Sequence, residues 1–236
     1  MIRHSLCVLA LSTLLATPLS AQVITFETDP AGAASVDDAV LGLASAYTVG
    51  PLSITFGFDS DLNGAPETTA AFEQVGPEVQ DGFAACLGRD TAAPGFAGQL
   101  GNFFLRGNSG TDFGVLVITY TGGVVNGATG EIWDIDGVSN GTEQYRVRAF
   151  DVGGTPLATI DSPLSTQESG CLNTELDGKP WTFSFVGVPG IARITIDFIG
   201  TKTQGIGLAF NNFNATGEQP VPASPATWGR VKSMYR

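Results

Sequence analysis

What most constrains the fold of this chain is a period-two alternation of apolar and polar residues that recurs through its body. Leu52, Ile54, Phe56 and Phe58 alternate with Ser53, Thr55 and Gly57, and Tyr145, Val147 and Ala149 alternate with Gln144, Arg146 and Arg148. Trp181, Phe183 and Phe185 are interleaved with Thr182 and Ser184, while Ile194, Ile196 and Phe198 are interleaved with Arg193, Thr195 and Asp197. Side chains two apart on an extended chain share a face, so each run reads as a strand with one greasy side and one wet side. Similar reasoning places strands at residues 23–26, 102–106, 115–120, 130–135, 156–160 and 206–213, about ten in all.

Turn signals separate these runs: Thr121-Gly122-Gly123, Asn126-Gly127, Asn140-Gly141, the hairpin signal from Asp151 to Gly154, and Pro189-Gly190. With 31 Gly, 13 Pro and only 14% charged residues, the composition suits many short elements and lacks the Glu, Lys and Arg of surface helices. Only residues 35–46 have the makings of a short helix. A single flat sheet could not bury both the Phe-rich and the Ile-rich faces. The expected fold is therefore all-β, a two-sheet antiparallel β-sandwich, jelly-roll-like, with an immunoglobulin-like sandwich as the alternative. Residues 59–101 are the least regular part and are read as functional loops or a lid.

The ends are read separately. Arg3 and His4 precede an apolar run from Leu6 to Ala16 that is too short to span a bilayer, and Thr17 to Ala21 supplies a helix breaker and small residues. Residues 1–21 are thus expected to be a secretory signal peptide cleaved after Ala21, residues 22–214 the β-sandwich domain, and residues 215–236 a Pro-containing linker with a basic tail carrying Arg230, Lys232 and Arg236. The mature product is expected to be secreted or otherwise extracytoplasmic, with no transmembrane segment. Cleavage removes Arg3 from the 11 basic residues, leaving ten against 23 acidic ones and a net charge of −13, which argues against nucleic-acid binding. Cys86 and Cys171 would remain, and an oxidising exterior allows them to pair; the alternative is two separate buried thiols.

Cleavage also removes His4, the chain's one histidine. Without it no Ser-His-Asp triad, Cys-His pair or His-ligated metal site can be built. Carboxylate chemistry, or no chemistry, is what survives.

Two acidic constellations stand out. Asp59-Ser-Asp61-Leu-Asn63-Gly64 matches the start of an oxygen-ligand calcium loop, D-x-[DN]-x-[DN]-G, in which alternate side chains converge on one ion and the glycine permits a sharp turn. Glu67 falls at the ninth position, but Ala70 stands at the twelfth, where a full EF-hand has glutamate. The second group is Asp134, Asp136 and Glu143 around a Gly-rich turn; the two aspartates share a strand face, so both are candidates to hold one ion or one sugar. Trp133, Trp181 and Tyr145 are aromatics able to stack on sugar rings, with Trp181 read as core. A glycosidase needs two carboxyls about 5 to 9 Å apart across a cleft, and alternation puts Glu131 on the face opposite Asp134. The chain is therefore expected not to be an enzyme, with a carboxylate-dependent glycan hydrolase as the catalytic alternative.

A family resemblance rests on Gly130-Glu-Ile-Trp-Asp-Ile-Asp-Gly137, Glu143-Gln-Tyr-Arg-Val-Arg-Ala-Phe-Asp-Val-Gly-Gly154, Pro156-Leu-Ala-Thr-Ile160, Gly190-Ile-Ala-Arg-Ile-Thr-Ile196 and Gly207-Leu-Ala-Phe-Asn-Asn-Phe213. Residues 22–214 resemble the exported bacterial domain of PEP-CTERM-type proteins, a jelly roll akin to carbohydrate-binding modules. Val221-Pro-Ala-Ser-Pro-Ala-Thr-Trp228 resembles the segment before that family's sorting helix, yet no span of about 20 apolar residues follows it. The resemblance implies a secreted, non-catalytic binding or structural module of the envelope or extracellular matrix, with a glycan or envelope polymer as partner; calcium as a stabilising cofactor is what the Asp59 loop motif suggests. An adhesive or surface-layer protein without a small ligand is the alternative. The candidate residues are Asp59, Asp61, Asn63 and Glu67 for metal, and Asp134, Asp136, Glu143 and Trp133 for ligand.

Overall fold

The alternating segments pair as expected. A computed structural model describes residues 22–76, 83–85, 88–108, 114–137, 141–165, 176–203, 206 and 209–218. In chain order the strands are β1 (Val40–Leu41), β2 (Tyr47–Val49), β3 (Leu52–Asp59), β4 (Ala70–Gln74), β5 (Ala84–Ala85), β6 (Gly88–Arg89), β7 (Phe103–Gly107), β8 (Val115–Thr121), β9 (Val124–Trp133), β10 (Tyr145–Phe150), β11 (Pro156–Asp161), β12 (Pro180–Ile191), β13 (Arg193–Phe198) and β14 (Ala209–Glu218), with one helical turn, α1 (Ala97–Leu100). They form two six-stranded antiparallel sheets, ordered β1-β4-β7-β14-β9-β12 and β11-β10-β13-β8-β3-β2, beside a small β5-β6 ribbon. The expected all-β sandwich is what the strand pairing shows. The signal-peptide segment, Cys86, Cys171 and the chain beyond Glu218 lie outside the described residues.

The greasy faces meet between the sheets. Phe56 and Phe58 from β3, Ile118 from β8 and Ile194 from β13 oppose Phe72 from β4, Phe183 from β12 and Phe213 from β14, all buried. Phe26 sits at the centre of a ring cluster, edge-on to Tyr47, Phe56 and Phe213 at centroid separations of 5.8, 5.2 and 5.9 Å. Such edge-to-face pairs add about 0.5–1.5 kcal/mol each beyond the area they bury. Phe210 and Phe213 have opposite parity yet both face inward, because the β9–β14 ladder shifts register between Asn211 and Asn214 and Asn212 takes a left-handed φ of 53°.

Several local expectations are corrected. Asn126-Gly127 is no turn but the middle of β9, where Gly127 pairs with Val186 on one side and Thr216 on the other. Pro189-Gly190 lies within β12, in an excursion where the ladder passes from Val186↔Gly127 to Ile191↔Val125. Residues 35–46 form no helix: Asp38 has φ 60°, and Val40 and Leu41 pair with Ala71 and Ala70 as an edge strand. The last strand continues past Asn214 to Glu218, opposite Val124, so the sheet takes in the start of the expected linker. The Asp151 to Gly154 hairpin forms as read, with the Asp151 carboxylate accepting the Thr155 amide at 2.8 Å.

The irregular segment before β7 packs on the outer face of the first sheet. Phe83, Ala92, Leu100 and Phe104 enclose Trp133 and Ala209 in a second, smaller hydrophobic cluster. Residues 129, 131 and 133 of β9 point to this side, while 128, 130 and 132 point to the main core.

Gly130 is the tightest point of that core, since a Cβ there would lie 2.5 Å from Phe213 Cε1 and 2.8 Å from Phe183 Cε1. Gly130→Ala is expected to destabilise the fold by about 1–3 kcal/mol, the usual range for overpacking, as read from urea denaturation. An unchanged midpoint would contradict this packing.

Candidate functional site

The two acidic constellations read from the sequence are formed very differently, and a third was not foreseen. Asp59 ends β3 and the connection to β4 doubles back at once, since Phe58 N–H donates to Thr68 O and the Glu67 and Thr68 amides donate to Phe58 O. In the loop between, the Asp59 carboxylate accepts from Asn63 N at 3.2 Å and Gly64 N at 2.7 Å. Asp61 accepts from Asn63 N at 3.1 Å, Asn63 Oδ1 accepts from Ala65 N at 2.8 Å, and Glu67 accepts from Ser60 N at 3.1 Å. Carboxylate oxygens of Asp59, Asp61 and Glu67 lie within 4.8 Å of one another; Asp59 is 3% exposed while the other two face solvent. Among the described residues no lysine or arginine pairs with any of the three. Ala70, the twelfth position, is the first residue of β4 and buried, so the loop closes into a sheet where an EF-hand would enter a helix.

The loop lies over the outer face of the second sheet. Arg193 Nη1 donates to Gly64 O at 2.5 Å, and the same guanidinium stacks 4.8 Å from the Phe150 ring centroid.

The second constellation is occupied by the protein's own cation. Lys202 Nζ donates to Asp136 Oδ1 at 2.9 Å and to Glu143 Oε1 at 2.8 Å. Burial pulls the Lys202 ammonium down, but the charges and hydrogen bonds of Glu143 and Asp136 outweigh it and hold the group above its ordinary range. Asp134, at a left-handed φ of 65°, makes no contact with Lys202 and accepts the Gly178 amide at 2.7 Å. Burial, reinforced by the neighbouring Asp136, pushes the Asp134 carboxyl well above the usual range. Oxygens of Asp134, Asp136 and Asp177 also converge within 4.8 Å.

This geometry corrects the expected ligand site. Trp133 and Glu143 are each 0% exposed. Trp133 is packed in the second hydrophobic cluster, with its indole N–H donating to Glu131 at 3.2 Å, so it presents no face to a sugar. Glu143 faces Lys202 and, through its backbone, Ser165. Tyr145 is buried, and Trp181 packs against the main core as read.

Sequence reasoning missed Lys202 and the pairings of two further carboxylates. Lys202 stands alone in a Gly-Thr-Lys-Thr stretch that carries no pattern. Glu73, on β4, lies 2.5 Å from Arg106 Nε on β7, and Arg106 also pairs with Asp38. Glu131 is buried under α1, accepting from Gln99 Nε2 at 2.6 Å and Asn212 Nδ2 at 2.7 Å. The neighbouring pairing of Glu73 and Arg106 on adjacent strands follows from the β4–β7 register, in which Ala71 is opposite Arg106.

No family model matches the chain, and no curated protein matches it. Solved structures that resemble it include a DUF4465 family protein from Bacteroides caccae ATCC 43185, at 7% identity and TM-score 0.45, over 90% of this chain and 99% of that one. Another is the enzymatically active domain of Bacteriophage CBA120 tailspike protein 4, at 12% identity and TM-score 0.28, over 72% of this chain and 20% of that one. A third is the K1 cleaved adhesin domain of Lys-gingipain from Porphyromonas gingivalis W83, at 13% identity and TM-score 0.29, over 70% of this chain and 99% of that one. The fold class rests on the chain's own strand pairing.

Burial outweighs the Arg106 contact at Glu73 and pushes its carboxyl up from 4.5 to about 7. Between those values the folded state holds a proton that the unfolded chain has released, so this group makes stability fall as pH rises across the window. Glu73→Gln, which has no proton to lose, is expected to flatten that slope in urea melts run from about pH 4.5 to about pH 7.5. A slope identical to that of the unchanged protein would contradict the assignment.

Proposed function

We propose that the chain is an extracytoplasmic, non-catalytic structural or binding module of the bacterial envelope or matrix, with a calcium ion seated on the loop from Asp59 to Glu67. The observation that carries the cation is the contrast among the acidic groups. Asp136 and Glu143 are compensated by Lys202, and Glu73 by Arg106, whereas the converging oxygens of Asp59, Asp61 and Glu67 have no basic partner among the described residues. Hard oxygen donors without nitrogen or sulfur suit calcium, which accepts six to eight oxygens in loose geometry, some from water. A loop with three carboxylates and no closing glutamate belongs with weak sites, at about 10⁻⁴–10⁻³ M, the range of extracellular modules.

Export is supported by the signal-like N-terminus and by the PEP-CTERM-type resemblance of the body. The non-catalytic reading is supported by the enclosure of the carboxylates best placed for acid–base work: Glu131, Glu143 and Asp134 are each engaged by protein donors and shielded from solvent. Because Trp133 and Glu143 are enclosed, the structural or adhesive reading stands ahead of a dedicated sugar pocket. A glycan or matrix polymer is then a partner for exposed loops. Among the described residues no helix is long and apolar enough to cross a membrane.

A ligand that binds only the folded state raises its stability, by about 2.7 kcal/mol at one hundred times Kd. Calcium is expected to raise the thermal midpoint, chelator to reverse the gain, and Asp61→Asn to remove most of it. A midpoint indifferent to calcium would overturn the cation, and recovery of the unprocessed chain from the cytoplasm would overturn the location.

A further inference from the structure

Lys202, Asp136 and Glu143 form more than a salt bridge. Lys202 Nζ lies 2.9 Å from Asp136 Oδ1 and 2.8 Å from Glu143 Oε1, with side-chain exposures of 7%, 18% and 0%. Glu143 Oε2 in turn accepts the Asp136 amide at 3.3 Å, so one carboxylate touches both other residues. The backbone fixes the reach of the lysine. Thr142 O accepts from the Thr201 and Lys202 amides at 2.9 and 3.1 Å, and Ser165 Oγ accepts the Glu143 amide at 2.6 Å. Gly141, at φ 148°, admits this contact because a Cβ there would lie 2.5 Å from Lys202 Cα.

We propose that Lys202 and Asp136 condense into an intramolecular amide, with Glu143 carrying the protons. An enclosed ion pair retains much of its desolvation penalty, and an amide removes both charges. Holding an amine against a carboxyl in a fixed site replaces a bimolecular encounter with a unimolecular one, worth effective molarities of about 10⁵ M and above. One proton moves from the ammonium to a carboxylate along a hydrogen bond already present, giving the neutral amine and acid. Nζ attacks Asp136 Cγ; the N–C bond forms and a Cγ–O bond breaks. The departing oxygen takes the proton already transferred and one more from the nitrogen, relayed by Glu143, and leaves as water. An ammonium and a carboxylate thus become an amide and water, with no change of oxidation state and no co-reactant. Asp136 is the acceptor because its partial exposure gives the water a way out, while Glu143 is enclosed and held in contact with both reactants.

The bond has a structural consequence. Asp136 follows β9 and Lys202 lies between β13 and β14, while Glu143 precedes β10. β9 and β14 belong to one sheet and β10 and β13 to the other, so the amide clamps the inter-sheet connections at one end of the sandwich. That would suit a module under tension, though the chemistry stands whether or not the Asp59 loop takes calcium.

Intact-mass measurement of the full exported chain, after reduction of cysteines, tests the proposal. The expected mass is one water, about 18 Da, below that of the processed sequence, with a branched tryptic peptide joining Lys202 to Asp136. Lys202→Arg and Glu143→Gln are each expected to restore the full mass. Asp136→Asn should lose ammonia in place of water, a deficit of about 17 Da, which separates Asp136 from Glu143 as the acceptor. A full, undiminished mass for the unchanged protein overturns the proposal without need of any variant. A branch at Glu143 overturns the assigned roles.

Discussion

Rings interlocking between two sheets are the contact on which the rest of this protein hangs. Phe26 enters from the N-terminal segment, Phe56 from β3 and Phe213 from β14, and each touches the other two within about 6 Å of ring centroid. β3 and β14 belong to opposite sheets, so this one cluster fixes both the spacing of the sandwich and the placing of its first and last described segments. Ile24 adds a backbone bridge to Phe213 in both directions, which seats the N-terminal segment against β14. Gly130 marks how closely the layers approach, because nothing larger than hydrogen fits between its backbone and the rings of Phe183 and Phe213.

With the greasy faces committed to the interior, the acidic excess must be handled at the sheet ends and on the outer faces. A chain with 23 acidic and 11 basic residues cannot give each carboxylate a cation of its own. Two of the few cations are assigned to enclosed carboxylates and their neighbours: Lys202 to Glu143 and the partly exposed Asp136, and Arg106 to Glu73 and the exposed Asp38. Glu131 is handled without a cation, by neutral donors from Gln99, Trp133 and Asn212. On the outer face of the second sheet, Arg146 pairs with Asp161 and Arg148 with Asp197, in exposed contacts that contribute little. The loop from Asp59 to Glu67 is left with converging oxygens and no such partner among the described residues, and that asymmetry underlies the calcium reading.

Much of the sandwich was legible because period two is a strong signal wherever one face is buried. The runs at 52–58, 145–150, 181–185 and 194–198 became strands with the faces read from the sequence. What escaped detection lacks that alternation. β4 (Ala70–Gln74) is buried on both sides through residue 73, by the core on one face and by the Arg106 pairing on the other. The first half of β9 contains Asn126-Gly127, a turn signal by composition that is instead a place where neighbouring backbones crowd. At the sites, the Asp59 motif was legible because its ligand spacing is local. The Asp134 group was misread as open because its cation, Lys202, is 66 residues from Asp136 in sequence. Trp133 was misread because alternation reports which side of a strand a residue faces and not what covers that side; here the cover is the irregular segment carrying Phe83, Ala92 and Leu100, with Phe104 of β7 beside it.

The central claim is that cation binding belongs to the loop from Asp59 to Glu67, whose converging carboxylates have no basic partner among the described residues. Titration with terbium, a luminescent stand-in for calcium that accepts the same oxygen donors, reads this directly. One saturable site is expected, displaced by calcium, lost in Asp59→Asn and retained in Asp136→Asn. A site that survives Asp59→Asn and vanishes with Asp136→Asn would contradict the claim, as would a chain that binds no terbium at all.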